Sequence, residues 1–387
     1  MRKHSYLNSF VKVEKEQLKP DKPDPCPRLI QPRHPVYNFA LGRHIAHLEK
    51  PIYRWIAKIW GGPTVMKGYN AEETAFHLRQ MWEEFNDPVA IPMDFSRFDQ
   101  HVNDEVLGWE HDRYLECVPS SQHKELAKLL SWQVENRGFI RCPDGEIKYR
   151  TQGCRMSGDM NTAMGNCLIS AAIMYSFSQL HGLKCRLANN GDDCVIICER
   201  NDAWRLRALP EFTRRLGFTL EVEPSVDVFE QISFCQTQPV FDGERWIMCR
   251  DPRVCISKDA VSTLPLDHPN IAQAWFGAVG QCGLSLAGRI PILQEVYLAY
   301  IRASEGKMVK NAMQMESGFF HLARGMTRKA GQVSSAARVS FWNAFGITPT
   351  EQMQVELELR SLNIPVLVSQ GITLPAIPFV NPRLLRI

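Results

Sequence analysis

Leu187-Ala-Asn-Asn-Gly-Asp-Asp-Cys-Val-Ile-Ile-Cys-Glu199 is the stretch on which the reading of this chain turns. Cys185–Asn189 and Cys194–Cys198 are short runs rich in apolar residues, and Asn190-Gly191 between them is a hairpin-turn signal. That pattern predicts Asp192 and Asp193 at the tip of two paired strands. Adjacent carboxylates on a tight turn repel each other unless a cation lies between them, and Mg²⁺ takes such ligands, with water and phosphate completing its shell. Taken alone, a Gly-Asp-Asp tip reads more simply as a solvated turn. The rest of the chain decides.

Upstream, Val89–Phe95 reads as a strand running into Met93-Asp-Phe-Ser-Arg-Phe-Asp99. If the strand gives way to a turn after Asp94, that carboxylate faces the hairpin acids while Asp99 points elsewhere. The alternative is an Asx-turn in which Asp99 caps a helix from His101 onward. Between the two lies Gly153-Cys-Arg-Met-Ser-Gly-Asp-Met-Asn-Thr-Ala-Met-Gly-Asn166. Ser157-Gly158 reads as a flexible loop, followed by a helix to about Leu180 on which Thr162 and Asn166 share one face. Helix interiors disfavour Ser, Gly and Asn, so their density at one helix start points to a purpose beyond folding. The plainer reading has Ser157 or Asp159 capping and Asn166 in a core hydrogen bond.

The order strand, helix, hairpin allows an antiparallel sheet backed by helices, with three carboxylates converging at one edge. Two metal ions there could activate an attacking hydroxyl and neutralise a leaving pyrophosphate. Asp99 and Asn166 supply an acceptor and an amide suited to a ribose 2′-OH.

With 387 residues the chain can bury a large core and form one or two interleaved domains. Its 44% hydrophobic and 22% charged residues are ordinary for a globular protein. Twelve cysteines are scattered without a Cys-x-x-Cys pair, and they read as reduced core thiols. The N-terminus is basic and polar without an apolar signal segment, and the longest apolar run, Cys167–Phe177, suits a buried helix. Charge is uneven: residues 61–255 carry 21 Lys+Arg against 29 Asp+Glu, whereas residues 1–60 carry 12 against 5. An acidic middle between basic flanks suits metal chemistry bordered by polyanion-binding walls.

Other elements follow from the same cues. Phe10–Lys15 and Arg28–Arg33 read as short strands flanking the prolines of Pro20–Pro27; Lys12, Arg28 and Arg33 either line one basic wall or are surface charge on an extended arm. Ala40–Trp60 reads as one amphipathic helix, and Asn70 with Glu73 forms a capping box for a helix to about Phe85. Residues 101–136 read as two helices, and Phe139–Tyr149 as a hairpin turning at Asp144-Gly145. Asp202–Leu216 is expected to be helical, Phe218–Val222 a strand, and Ile232–Val240 with Glu244–Cys249 a second hairpin. From Lys258 the chain turns helical, with helices at Asn270–Leu286, Ile292–Ala303, Lys307–Arg324, Ser334–Phe345 and Glu351–Leu362, before an apolar, proline-rich strap.

The chain resembles viral RNA-dependent RNA polymerases of positive-strand RNA viruses, most nearly the tombusvirus and carmovirus-like group. Asp94-x4-Asp99 matches motif A, Ser157-Gly158-x3-Thr162-x3-Asn166 motif B, and Gly191-Asp192-Asp193 motif C. Phe234-Cys235-Gln236 resembles the primer-grip hairpin of motif E, and Lys12-x-Glu14 with Arg28 resembles motif F. The resemblance runs from about Phe10 to Val261.

It implies an α+β right-hand polymerase with an antiparallel palm sheet backed by helices. Residues 1–87 would be part of the fingers with motif F. Residues 88–255 would be the palm with a fingers insertion near 105–152, and residues 256–387 a helical thumb with a C-terminal strap. It implies RNA synthesis from NTPs on an RNA 3′-OH, with two Mg²⁺ ions, or Mn²⁺ in substitution, at Asp94, Asp192 and Asp193. Asp99, Thr162 and Asn166 would select ribose, and Ser157-Gly158 would move with the template. Lys12, Arg28 and Arg33 would bind triphosphate, and Phe234, Cys235 and Gln236 would grip the primer end. Template and product RNA and NTPs are the expected partners, with an upstream replicase segment or an auxiliary viral replication protein. The expected setting is host cytoplasm, at membrane-bound replication complexes recruited through regions or partners outside this chain.

The sequence departs from that pattern in two respects. The fingers element expected upstream of motif F and the membrane-targeting region are missing, so the chain reads as part of a longer replicase. Neither lysine nor histidine occurs between Lys184 and Lys258, where many such polymerases place a general acid. Two rival readings remain. A reverse transcriptase is disfavoured because Asn190-Gly191 precedes the Asp pair where an aromatic-x is expected. A non-catalytic RNA-binding replicase scaffold would have no use for repelling acids.

Overall fold

The structure, a computed structural model, describes residues 2–15, 26–142, 144–262, 266, 268–307 and 322–364. Along the chain, β1 (Leu7–Val11) and β2 (Leu29–Ile30) precede α1 (Pro35–Ile45), α2 (Glu49–Ile59) and α3 (Ala71–Trp82). Next come β3 (Pro88–Ser96), the single turn α4 (Phe98–His101), α5 (Asp104–Glu116), α6 (Ser120–Val134), β4 (Glu135–Cys142), β5 (Gly145–Gln152) and α7 (Thr162–Leu180). β6 (Cys185–Asn189), β7 (Asp193–Glu199), α8 (Leu209–Arg215) and β8 (Thr219–Val222) follow. The remainder is β9 (Thr237–Phe241), β10 (Trp246–Arg250), α9 (Pro252–Asp259), α10 (Pro269–Ala287), α11 (Leu293–Ala303), α12 (Ser335–Phe345) and α13 (Pro349–Ser361). The expected helix at Lys307–Arg324 falls largely outside the described residues, as do most of the proline-rich arm and the C-terminal strap.

The chain is a mixed α+β protein that divides into two compact units, each interrupted in sequence. The first comprises Met1–Lys12, Cys26–Lys67 and Glu84–Ser225. Its centre is a four-stranded, wholly antiparallel sheet in the order β6-β7-β3-β8. β3 and β7 are buried on both faces along most of their length, and Asp94 is the one exposed residue of β3. Pro92 is tolerated inside β3 because β8 starts pairing only at Met93, and the Pro92 carbonyl still accepts the Glu223 N–H at 3.0 Å. Helix α7, buried along most of its length, packs against β6 and α2. A second sheet, β2-β1-β4-β5, is mixed, since β1 runs parallel to β4.

The second unit comprises Val13–Pro25, Gly68–Glu83 and Val226–Ile387. The β9–β10 hairpin packs against α3 and α12, and helices α10, α11 and α12 close a core around Trp275, Tyr297 and Phe341. The capping box forms as read: Asn70 Oδ1 accepts the Glu72 and Glu73 N–H groups, and Glu73 accepts the Asn70 N–H at 2.8 Å. Arg328 bridges Glu72 and Asp242, joining α3 to the β9–β10 turn.

Several local readings are corrected. The single helix expected at Ala40–Trp60 is two, separated by a 3-10 turn at Ala46–Leu48. Pro51 has no N–H for the carbonyl four residues back, so the helix restarts just before it. The segment after β7 likewise begins as a 3-10 stretch, Arg200–Ala208, and becomes α-helical only with Pro210 in the first turn of α8. The strand expected from Ile232 starts at Thr237. Before it, Phe234 and Thr237 exchange backbone hydrogen bonds across a two-residue turn, with Cys235 at φ 51 and Gln236 at φ 59. Helix α9, with Asp251 as its cap and Pro252 in its first turn, begins earlier than the helical stretch expected from Lys258.

Candidate active site

The register of the central sheet sets the acids. Asp94 lies opposite Asp193 on β7 and opposite Glu221 on β8, so three carboxylates cross the sheet in one row. The β6–β7 pairing ends at Asn189↔Cys194, and the Asn190 N–H donates to the Asp193 carbonyl at 2.9 Å. Gly191 and Asp192 are therefore the central turn residues, one position later than Asn190-Gly191 suggests. Gly191 has φ 99, as a type II′ hairpin requires at that position. Asp192 is thereby exposed on the turn while Asp193 enters the strand beside Asp94.

Buried Asn189 fixes this turn. Its Oδ1 accepts the Gly191 N–H at 2.9 Å and its Nδ2 donates to Ser170 Oγ of α7 at 2.6 Å. The sequence reading assigned Asn189 and Ser170 no role; an Asn ending a strand before Gly is the signal that would have found the first.

Partial burial of its carboxyl, and then the charges of Asp193, Asp192, Glu221 and Glu223, push Asp94 up to about 6. A carboxylate so strained by its neighbours gains from any cation placed among them. Among the described residues, no group of three or more His, Cys, Asp or Glu is already arranged to hold a metal ion. The acids are therefore juxtaposed rather than closed into a cage. An all-oxygen, carboxylate-rich set of this kind fits Mg²⁺, which keeps several waters and is bound by few protein ligands.

The two expected ribose readers meet. Asn166 Nδ2 donates to Asp99 Oδ1 at 2.7 Å. Burial raises the Asp99 carboxyl, against the lowering effects of the Asn166 hydrogen bond and the Arg155 charge. Asp99 does not cap the following helix; Asn103 does, accepting the Val106 N–H at 2.9 Å. Thr162 stands one turn from Asn166, but its hydroxyl donates to the Met156 carbonyl at 2.9 Å and so braces the loop that carries Ser157. The Ser157 carbonyl accepts the Gln31 N–H at 2.6 Å. Gly158, at φ 122, passes close enough to Gln31 and Pro32 that a Cβ would stand 3.2 Å from their backbone.

Of the basic wall, Lys12 and Arg28 come together: the Lys12 N–H donates to the Arg28 carbonyl at 2.8 Å. Arg33 is a correction. It is 3% exposed, and its five N–H groups go to Asp159, Asn136 and the Ser5 and Trp132 carbonyls. The guanidinium has no donor left for a phosphate and acts instead as a pin between the N-terminal strand pair and the loop before α7. Sequence offers no sign of this, because its side-chain partners Asn136 and Asp159 lie more than a hundred residues away. Phe234, Cys235 and Gln236 sit in the second unit, where the last two form the turn described above and Phe234 is buried. Among the described residues no helix is long and apolar enough to cross a membrane.

The chain is similar to several curated proteins. A 359-residue match to the RNA-directed RNA polymerase of Melon necrotic spot virus is 47% identical, covering 92% of this chain and 45% of that protein. The polymerase of Carnation mottle virus is 46% identical over 94% of the chain and 47% of its own length. That of Turnip crinkle virus is 42% identical over 92% of the chain and 46% of its own length. The chain thus spans about half the length of these curated relatives. The family described as viral RNA dependent RNA polymerase matches residues 1–366, and with those identities it establishes that this chain belongs to that family.

Proposed function

We propose that the chain carries out template-directed RNA synthesis for viral RNA replication, transferring nucleotides from NTPs to an RNA 3′-OH and releasing pyrophosphate. The observation that carries this reading is the Asp94–Asp193 pairing across β3 and β7, with Asp192 on the adjoining turn. Asp94, Asp192 and Asp193 are the residues that would hold two Mg²⁺ ions, with Mn²⁺ as a substitute. When bound, such ions supply Lewis acidity for the attacking hydroxyl and charge neutralisation for the leaving pyrophosphate.

In this reading the antiparallel sheet is the palm of a right hand, with fingers in residues 1–87 and near 105–152 and a thumb in residues 256–387. Asn166 and Asp99 orient the ribose through its 2′-OH. Ser157-Gly158 follows the template, Lys12 and Arg28 attract the triphosphate, and the Phe234–Gln236 turn supports the primer end. Template and product RNA are the macromolecular ligands. A further replicase segment or an auxiliary viral replication protein recruits the enzyme to membrane-bound replication complexes in host cytoplasm.

The test is primer extension by the purified chain, alone and with an upstream segment of a relative supplied in trans, using each NTP and dNTP with Mg²⁺ or Mn²⁺. Incorporation directed by the template and lost in Asp192→Ala is expected. RNA binding without incorporation under every condition would replace this reading with that of a replicase scaffold.

A further inference from the structure

Behind the ribose-reading pair lies a buried ionic cluster that the proposed chemistry does not use. Glu110 of α5 is fully buried and is ion-paired with Arg155, itself 2% exposed. Glu110 also accepts the Tyr114 hydroxyl at 2.6 Å and Asn161 Nδ2 at 2.9 Å, and Asn161 Oδ1 accepts Gln133 Nε2 at 2.8 Å. Helix α7 crosses this cluster at Gly165, where any Cβ would collide with the Arg155 guanidinium and the Glu110 carboxylate. A buried ion pair contributes little net stability compared with apolar side chains of similar volume. Its presence here calls for a reason other than stability.

The reason lies in how Arg155 is aimed. Its Nε donates to Asn166 Oδ1 at 3.2 Å, and its backbone N–H donates to the Asp99 carbonyl at 2.8 Å. An asparagine amide has two nearly isosteric ends, and only one orientation lets Asn166 donate to Asp99. With a guanidinium at one side of the amide, oxygen must face Arg155 and nitrogen must face Asp99, because guanidinium has no acceptor. We infer that Arg155, held by Glu110, is a positioning residue for nucleotide selection: it fixes the Asn166 amide and the Asp99 loop in the arrangement that recognises a ribose 2′-hydroxyl. This rests on the ribose-reading role proposed for Asn166 and Asp99.

Glu110 holds the charge of Arg155, and Arg155 holds the oxygen of Asn166. Asn166 presents its amide hydrogens to Asp99, which keeps the carboxylate facing the sugar. Without Arg155 the amide is oriented by its bond to Asp99 alone, and its oxygen end loses the donor that holds the side chain in place. The ribose is then met by the same amide and carboxylate in a looser arrangement. Discrimination falls while the acids at Asp94 and Asp193 keep their places.

The experiment uses Arg155→Met/Glu110→Leu, which replaces both charges by apolar volume, together with Arg155→Lys, Asn166→Ala and the triple combination. Melting temperature and far-UV spectra establish that each variant is folded. Single-nucleotide addition gives the ratio of NTP to dNTP efficiency, and side-chain amide exchange in asparagine-labelled protein reports the Asn166 amide, assigned by its loss in Asn166→Ala. The expected result is a roughly tenfold drop in the ratio for the double variant, with no further drop in the triple, and faster Asn166 amide exchange. Arg155→Lys is expected to restore part of the preference.

A ratio that falls additively in the triple variant would show that the pair does not act through Asn166. Unchanged amide exchange in a folded double variant would overturn the positioning role outright. If Asn166→Ala itself leaves selectivity intact, the ribose reading fails, and the amide exchange still decides what Arg155 does.

Discussion

Asp94 and Asp193 face each other across β3 and β7, an antiparallel pair with a carboxylate on each strand. Like charges directly opposite destabilise a sheet, typically by about 0.2–1 kcal/mol relative to a neutral pair. Asp94→Asn should therefore abolish nucleotide addition yet leave the fold unharmed or slightly more stable, and RNA binding should persist. A folded Asp94→Asn protein that still synthesises RNA with Mg²⁺ would remove the carboxylates from the mechanism.

The same residue gives a pH signature. Asp94 is pushed up to about 6 in the folded chain, above an unfolded carboxyl at about 4. Between those values the folded state binds the proton more tightly, so this group adds stability as pH falls from about 6 to about 4 and withdraws it as pH rises. In the proposed mechanism activity should run the other way, since the deprotonated form would be the metal ligand. Melting curves of parent and Asp94→Asn at pH 5 and 7.5 should differ in that direction, and added Mg²⁺ should stabilise the parent more at the higher pH. An equal pH response in both proteins would place the titration elsewhere.

Asn166→Ala and Asp99→Ala should each lower the preference for NTP over dNTP, by about 1–3 kcal/mol of discrimination. Thr162→Val should not, because the Thr162 hydroxyl is spent on the Met156 carbonyl. Competition between matched NTP and dNTP on one template measures all three, and a selective loss in Thr162→Val alone would move ribose recognition to the start of α7.

Arg33 is a structural cation, whereas Arg28 is the one proposed to bind substrate. Arg33→Ala leaves Asp159 buried without its partner, and breaking such a pair costs roughly 3–5 kcal/mol, so its melting temperature should fall sharply. Arg28→Ala, on an exposed strand end, should barely change melting but should raise KM for NTPs. Thermal melts beside steady-state kinetics distinguish the two patterns; the reverse assignment would return Arg33 to the triphosphate.

How much of this was legible depended on the distance between partners. The Asp-Asp hairpin, the β3 strand and the capping box of Asn70 with Glu73 were readable because each is settled within about ten residues by turn chemistry and alternation. Arg33 and Arg155 were not, since a charged residue in sequence looks alike on a surface and against a buried acid forty or more positions away. The break at Ala46–Leu48 was masked by an unbroken apolar stripe that Pro51 overrules. The turn at Cys235-Gln236 lacks the glycine by which such turns are usually recognised.

Pyrophosphate should leave without a lysine or histidine acid from residues 185–257, where none occurs. Arg214 and Arg215 are exposed there and paired with Glu211, and guanidinium can stabilise charge but cannot release a proton near neutral pH. Pre-steady-state addition in H₂O and D₂O should show faster turnover and a larger isotope effect for Arg214→Lys or Arg215→Lys. A large parent isotope effect abolished by Lys258→Ala would identify Lys258 as the acid instead.

The turn at Cys235-Gln236 offers a way to separate shape from contact. Both central residues hold positive φ, a conformation that Asn-Gly adopts with far less strain. Grafting Asn-Gly there keeps the path of the backbone, replaces the Cys235 thiol and removes the Gln236 side chain. If the primer end rests on the loop as a wedge of main chain, the graft works as well as the parent and in a sturdier protein. If it is held by the thiol and the amide, the graft keeps the silhouette and loses the grip.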